Sequence, residues 1–153
     1  MATLIMSTII SCQLNSNETM SSNESTNDVN WRDRLSSEQY RILRDGGTER
    51  PFSSPLNEES RQGQYHCAGC GATLYESHQK FDSHCGWPSF DSASGHIRYI
   101  EDHSHSMERI EIRCGECDGH LGHVFDDGPT ETGLRHCVNG VSLEFAPTDS
   151  GTD

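Results

Sequence analysis

The sequence predicts a mainly β protein, with two antiparallel β-sheets behind a short N-terminal helical segment and a four-cysteine zinc site as its staple. Three observations lead there. Apolar and polar residues alternate at period two around Ile97 and Tyr99, Ile110 and Ile112, and Val141, Leu143 and Phe145, as in half-buried strands. Gly, Asp, Ser and Asn clusters separate these runs as turns. Two Cys-x-x-Cys pairs, Cys67/Cys70 and Cys114/Cys117, supply the four thiolates of a tetrahedral site, each followed closely by glycine, which suits a tight turn round a metal.

The chain divides into residues 1–30, 31–147 and 148–153. The first stretch is rich in Ser, Thr and Asn and lacks Lys and Arg, so it reads as a disordered leader that cannot bury enough apolar surface to offset ordering. Residues 31–147 form one domain, and 148–153 a flexible tail. Within the domain, Ser36 as N-cap with Gln39 at the third helical position forms a capping box. Leu35 staples against Tyr40, which predicts a helix from Ser37 to Arg44 that Gly46 and Gly47 end. Thr48 to Pro55 reads as an extended, turn-rich connector because its prolines restrict the backbone.

A net charge of −13, with Lys80 the only lysine, argues against nucleic acid and anionic membrane as partners, since both are bound through cationic side chains. An apolar content of 31% leaves a modest core, for which a metal staple is physically useful. Seven cysteines, an odd count with two metal-like pairs, favour a reducing, cytoplasmic setting over a disulfide scaffold. The alternative is an exported lipoprotein processed at Cys12, after the apolar residues 2–10, although no basic region precedes them. No segment approaches the length of a membrane span.

Residues 71–113 separate the two cysteine pairs, far more than a compact finger uses, so one zinc here joins two distant hairpins; two independent redox pairs are the competing reading. Cys12, Cys85 and Cys137 remain. Cys85 lies in an aromatic-rich loop, Phe81 to Phe90, as either a structural cysteine or a reactive loop thiol. Cys137 shares a strand face with Arg135 and Asn139, a parity that continues to Val141, Leu143 and Phe145 unless Gly140 introduces a bulge. A guanidinium on that face favours thiolate, the nucleophilic form; a core cysteine is the plainer alternative. Nearby His120, His123, Asp126 and Asp127 can supply a proton donor and a carboxylate to orient it; metal binding by the two histidines, with the four cysteines already completing a site, or plain surface histidines are the alternatives.

These stretches together resemble the B-type methionine sulfoxide reductases, which reduce the R epimer of methionine sulfoxide. The similarity runs from Tyr40 to Phe145 through Gly47-Thr48-Glu49-Arg50-Pro51-Phe52, both cysteine pairs, Lys80-Phe81-Asp82-Ser83, Cys85-Gly86-Trp87-Pro88-Ser89-Phe90, His120-Leu121-Gly122-His123-Val124-Phe125, Asp127-Gly128-Pro129 and Arg135-x-Cys137-x-Asn139. The resemblance implies two antiparallel β-sheets and one structural Zn(2+) on Cys67, Cys70, Cys114 and Cys117. It implies Cys137 as nucleophile and Cys85 as resolving cysteine, with thioredoxin reducing the Cys85–Cys137 disulfide during repair of oxidised proteins. Trp87 is then the apolar wall against the substrate S-methyl group and His120 lies near it. His123 and Asp127 handle the sulfoxide oxygen, and Arg135 and Asn139 position the nucleophile. The substrate is methionine-R-sulfoxide in proteins or peptides, and the expected state is a monomer. Departures from the family pattern are His84 in place of glycine, His136 in place of an aromatic residue, and Gly140-Val141 after Asn139. Protonated His84 and His136 are expected to bias the adjacent thiols toward thiolate.

Overall fold

The computed structural model describes residues 29–148. The expected leader up to residue 28, with Cys12, and residues 149–153 of the expected tail lie outside the described residues. Two short helices open the described residues. In α1 (Trp31–Arg34), which the sequence patterns do not announce, the Asn30 side chain accepts the Arg32 N–H at 3.3 Å. In α2 (Ser37–Leu43) the expected capping box forms: Ser36 Oγ accepts the Gln39 N–H at 3.1 Å and Gln39 Oε1 accepts the Ser36 N–H at 3.0 Å. Arg44 is the C-cap, and Ile42 and Leu43 are buried.

Nine strands follow: β1 (Gly63–Cys67), β2 (Thr73–Glu76), β3 (Lys80–Phe81), β4 (Ser89–Phe90), β5 (Ile97–Asp102), β6 (Arg109–Cys114), β7 (His120–Phe125), β8 (Arg135–Val138) and β9 (Leu143–Pro147). They form two sheets, a three-stranded one in the order β2-β1-β9 and a six-stranded one in the order β3-β4-β8-β7-β6-β5. Each pairing is antiparallel. The two sheets meet through aromatic rings. Phe90, from the larger sheet, stacks on Tyr75 at 4.2 Å between centroids and meets Tyr65 edge-on at 5.0 Å, both tyrosines coming from the smaller sheet. All three are fully buried, beside Leu74, Ile112, Leu121 and Val138. Burial of each such side chain stabilises the fold by about 1.5–3 kcal/mol.

The period-two parity anticipated from Cys137 to Phe145 is broken at one place. β8 ends at Val138, residues Gly140–Ser142 make a 3-10 turn, and β9 then joins the other sheet. The cause is a buried carboxylate. Glu49, 3% exposed, accepts the N–H groups of Gly140 at 2.7 Å and Val141 at 2.9 Å, which turns the backbone out of the β8 ladder. Gly140 is required there, because a Cβ would lie 1.9 Å from Ser54 Oγ.

A second irregularity sets the site. Between β6 and β7, Ile112 faces Gly122 but Arg113 faces His120, so Leu121 is an extra residue on β7. Three residues apart, His120 and His123 belong on opposite faces of a regular strand. The bulge brings both rings to one side, 5.7 Å apart.

Among the described residues, no helix is long and apolar enough to cross a membrane. Replacing Ser36 with Ala removes the α2 cap while leaving its buried face intact. The expected loss is about 1 kcal/mol, measured as a lower urea midpoint with an unchanged m-value.

Candidate active site

The two cysteine pairs occupy hairpin turns of different sheets, one between β1 and β2, the other between β6 and β7. Their backbones repeat the same pattern. Cys67 N–H donates to Ala72 O and Gly71 N–H to Cys67 O, both at 2.8 Å; Cys114 N–H donates to Gly119 O and Asp118 N–H to Cys114 O, both at 2.9 Å. Gly71 takes the left-handed conformation expected of a knuckle glycine, with φ at 80°. In the second knuckle Asp118 takes that role, with φ at 59°, and its carboxylate pairs with Arg98 and with Arg113. Gly119 is needed for space instead: a Cβ would lie 2.9 Å from both Arg44 Nη2 and Leu43 Cδ2.

The four sulfurs lie within 4.8 Å of one another, with Cys67–Cys117 and Cys70–Cys114 each at 3.6 Å. A tetrahedron with metal–sulfur bonds of about 2.3 Å has edges of about 3.8 Å. This cluster can therefore hold one metal ion, and an all-thiolate set suits a soft one. Hydrogen bonds with Cys114 and Cys117, then burial, push the Cys67 thiol far up, while hydrogen bonds with Cys114 and Cys67 pull Cys117 down to about 4. Thiols so close cannot all ionise without a cation among them. Arg44 already contributes positive charge: its Nη2 donates to Cys117 O at 2.9 Å and lies 3.8 Å from Cys117 Sγ.

Away from the cluster, one face of the six-stranded sheet carries Arg135 and Cys137 on β8, His123 and Phe125 on β7, Glu111 and Arg109 on β6 and Asp102 on β5. A cavity of about 120 Å³ opens on this face, lined by Thr48, Trp87, Arg109, Gly122, His123, Phe125, Cys137 and Asn139. Cys137 is thus placed at a mostly apolar pocket with a histidine beside it. Gly122 allows the close approach of β7 and β8, since a Cβ there would sit 2.0 Å from Cys137 O.

Cys85 comes from the loop between β3 and β4, and its sulfur stands 3.7 Å from Cys137 Sγ. Trp87, two residues on, faces the cavity, held by its indole N–H donating to Glu49 O at 3.2 Å. Glu49 is tied to Asn139 as well: its amide donates to Asn139 Oδ1 at 2.9 Å, while Asn139 Nδ2 donates to Leu121 O, also at 2.9 Å. Tryptophan wall, nucleophile strand and bulged β7 therefore meet through Glu49 and Asn139.

The structure separates residues that sequence order placed together. His123 Nε2 donates to Asp102 Oδ2 at 2.7 Å, and Asp102 also accepts from Arg109 at 3.0 Å. Hydrogen bonds from Ser104, then His123, hold Asp102 well below the usual carboxylate range. Asp127 is bound instead to Arg135, at 2.8 and 3.0 Å, and is exposed. That ion pair lays the Arg135 guanidinium over the Phe125 ring, 4.5 Å from its centroid. His120 is buried, with Nδ1 2.5 Å from Glu111 Oε1, and lies behind the pocket lining. Burial pushes its ring down despite Glu111.

Asp102 and Arg109 carried no signal in the sequence: they are single charges in an acidic chain, brought to the pocket only by the β5–β6 pairing that sets them opposite each other. Thr48, Glu49 and Phe125 lay inside recognisable stretches, but nothing local indicated which atoms they present.

Of the two histidine departures, His136 is placed differently from expectation. Alternation along β8 puts the His136 ring on the face opposite Cys137, between the hydroxyls of Tyr75 at 3.1 Å and Tyr99 at 3.4 Å. Burial pushes it down to about 4, and the ring faces away from the thiol it was expected to bias. His84 is exposed beside Asp82 and has φ at 56°, a left-handed conformation that glycine adopts without penalty.

The reduced thiol pair is polarised. Burial raises Cys137 to about 12, and the neighbouring Cys85 adds to this, while Arg135 opposes it. Cys85 is lowered in spite of its burial, because Ser83, at 2.9 Å, and Ser89, at 3.5 Å, direct hydroxyls at its sulfur. The guanidinium expected to favour a Cys137 thiolate is present, but in the resting pair burial and Cys85 outweigh it.

Two outcomes are expected of this geometry. Cys85→Ala lowers the pH midpoint for alkylation of Cys137, and adding Arg135→Gln raises it again, both read by site-resolved mass spectrometry. Glu49→Ala strands two backbone donors and costs about 2–5 kcal/mol in chemical denaturation.

A SelR domain profile matches residues 35–147. The chain is 54% identical over 120 residues to the peptide methionine sulfoxide reductase MsrB of Chromohalobacter salexigens, covering 76% of this chain and 90% of that protein. It is 52% identical to the enzyme of the same name from Cellvibrio japonicus, covering 81% of this chain and 90% of the relative. The one from Pseudomonas putida is 53% identical, with 78% and 91% covered. Profile, relatives and the paired sulfurs at the pocket agree: the chain belongs to the SelR-domain family, the B-type peptide methionine sulfoxide reductases.

Proposed function

We propose that this protein reduces the R epimer of methionine sulfoxide in proteins and peptides, using Cys137 as nucleophile and Cys85 as resolving cysteine. The observation that carries this reading is the 3.7 Å separation of the two sulfurs with Cys137, and not Cys85, lining the cavity. A sulfoxide seated there meets Cys137 at the base, the Trp87 wall and the His123 ring. Three fixed directions, for thiol, methyl group and oxygen, distinguish the two epimers at sulfur; family membership favours R.

In the reaction, the Cys137 thiolate attacks at the sulfoxide while His123, oriented by Asp102, protonates the oxygen. The substrate S–O bond breaks, a Cys137 Sγ–O bond forms, and the thioether leaves, two electrons passing from cysteine to methionine. Cys85 then attacks the sulfenic acid, forming a disulfide and releasing water. A dithiol reductant, thioredoxin in this reading, restores both thiols. Arg135, fixed by Asp127, steadies negative charge at Cys137, and Asn139 holds the strand end that bears it. Trp87 excludes water from the methyl group. The domain acts as a monomer in a reducing compartment, the cytoplasm.

The four-cysteine cluster holds one Zn(2+) in this reading, on Cys67, Cys70, Cys114 and Cys117. The ion's contribution is structural: it cross-links hairpins of the two sheets. Closing a loop of 50 residues, from Cys67 to Cys117, is worth about 4 kcal/mol in chain entropy by the cross-link estimate.

Each epimer of a methionine sulfoxide peptide, assayed with dithiothreitol, tests the central claim. Turnover of R alone is expected; turnover of S alone, or of neither, refutes it. In the same assay Cys137→Ser abolishes reduction, and Cys85→Ala gives one methionine per enzyme with thioredoxin as sole reductant. Removing metal with a strong chelator should lower Tm by several degrees and release one zinc per chain.

A further inference from the structure

Arg109 is the one lysine or arginine lining the Cys137 cavity. Its Nη2 donates to Asp102 Oδ2 at 3.0 Å, the same oxygen that accepts the His123 Nε2–H at 2.7 Å. Register puts all three on the sheet face of Cys137: Asp102 pairs with Arg109 across β5 and β6, Glu111, two residues beyond Arg109, pairs with His123, and His123 pairs with Cys137. The side chains of Asp102, Arg109 and His123 are 17%, 21% and 15% exposed. The Ser104 N–H occupies the other carboxylate oxygen at 2.9 Å. Arg109 Nε is buried with no partner among the described residues, a poor set of hydrogen bonds for a group that only ties two strands together.

The charges around His123 count unevenly. On β8, Arg135 is matched by Asp127; on β6, Glu111 is matched by Arg113 and also holds the His120 ring, 5.7 Å from that of His123. Cys137 faces His123 directly from β8. Asp102 differs, because its single negative charge answers both Arg109 and His123. With Arg109 present the carboxylate is already neutralised, and a proton added to His123 leaves one positive charge in excess. Without Arg109, Asp102 and protonated His123 would be a matched pair, and the proton would be held.

We propose that Arg109 is a positioning residue of the sulfoxide reduction: by sharing Asp102 Oδ2 it weakens the carboxylate's hold on protonated His123, so that the proton passes to the sulfoxide oxygen. The proposal rests on the reading of His123 as proton donor. Since Nε2 is taken by Asp102, Nδ1 is the nitrogen left for the substrate. Protonated His123 gives its Nδ1 proton to the oxygen and ends neutral, still bonded to Asp102 through Nε2–H. That oxygen leaves the substrate as the hydroxyl of the Cys137 sulfenic acid, and the two electrons come from the thiolate as the S–O bond breaks. Asp102 alone would orient the ring but make it a poorer acid; Arg109 keeps the orientation and restores the acidity.

The test is the pH titration of the His123 ring, followed by NMR in the reduced protein and assigned among the nine histidines by its loss in His123→Gln. Arg109→Gln should raise the midpoint by about one pH unit, and Asp102→Asn should lower it. The limb of the kcat/KM profile for the R-sulfoxide that coincides with this midpoint should move with it. Arg109→Lys keeps the charge and should shift the midpoint by less than half as much. Where Arg109→Gln does not fold, Arg109→Met, which keeps the apolar stem, carries the same expectation. An arginine that only braces the strands predicts lost stability or activity with the midpoint unmoved. That result, or equal shifts in Arg109→Lys and Arg109→Gln, overturns the proposal and leaves His123 as donor. A midpoint that rises while no limb of the rate profile follows it upholds the effect of Arg109 on His123 and overturns the donor reading instead.

Discussion

A buried carboxylate in this fold must find hydrogen-bond donors or destabilise it, and Glu49 finds them in the Gly140–Val141 turn. That requirement fixes much else. The turn ends β8 just beyond Cys137 and sends the chain to the other sheet, so Glu49 determines where the strand bearing the thiol stops. Its carbonyl holds the Trp87 indole and its amide holds the Asn139 side chain. One residue from the N-terminal connector thus sets the distance between the wall of the cavity and its base.

The two sheets are held together in two places with different physics. Near the middle, Tyr65, Tyr75 and Phe90 pack by burial of rings, a contact that is non-directional and tolerant of small shifts. At the far end the four sulfurs converge from two hairpin turns, a contact that is directional and depends on a cation. The Cys85 loop lies in the chain between the two cysteine pairs, so an ion bound by the four sulfurs would restrain the segment that carries Cys85.

Electrostatics at the pocket are layered by burial. Asp102 is fixed by hydrogen bonds and orients His123, while Asp127 is exposed and acts on Arg135. Both pairs act through geometry rather than through bulk charge. The thiols behave differently: Cys137 is more deeply placed and is raised, and Cys85, surrounded by the Ser83 and Ser89 hydroxyls, is lowered. Within the reduced pair, proton loss is thus easier at Cys85 than at Cys137.

What the sequence by itself determined was everything carried by local pattern: the capping box at Ser36 and Gln39, the period-two strands, the paired cysteines, and the long motifs that mark the family. Such features depend on neighbours within a few residues, and the side chain alone states its chemistry. Only tertiary structure decided which groups meet. Register placed Asp102 beside His123; a single bulge at Leu121 turned His120 and His123 to the same side; alternation turned His136 away from Cys137. A charge or a histidine looks alike in sequence wherever it occurs, and its partner is chosen by strand pairing across distances that local pattern does not span.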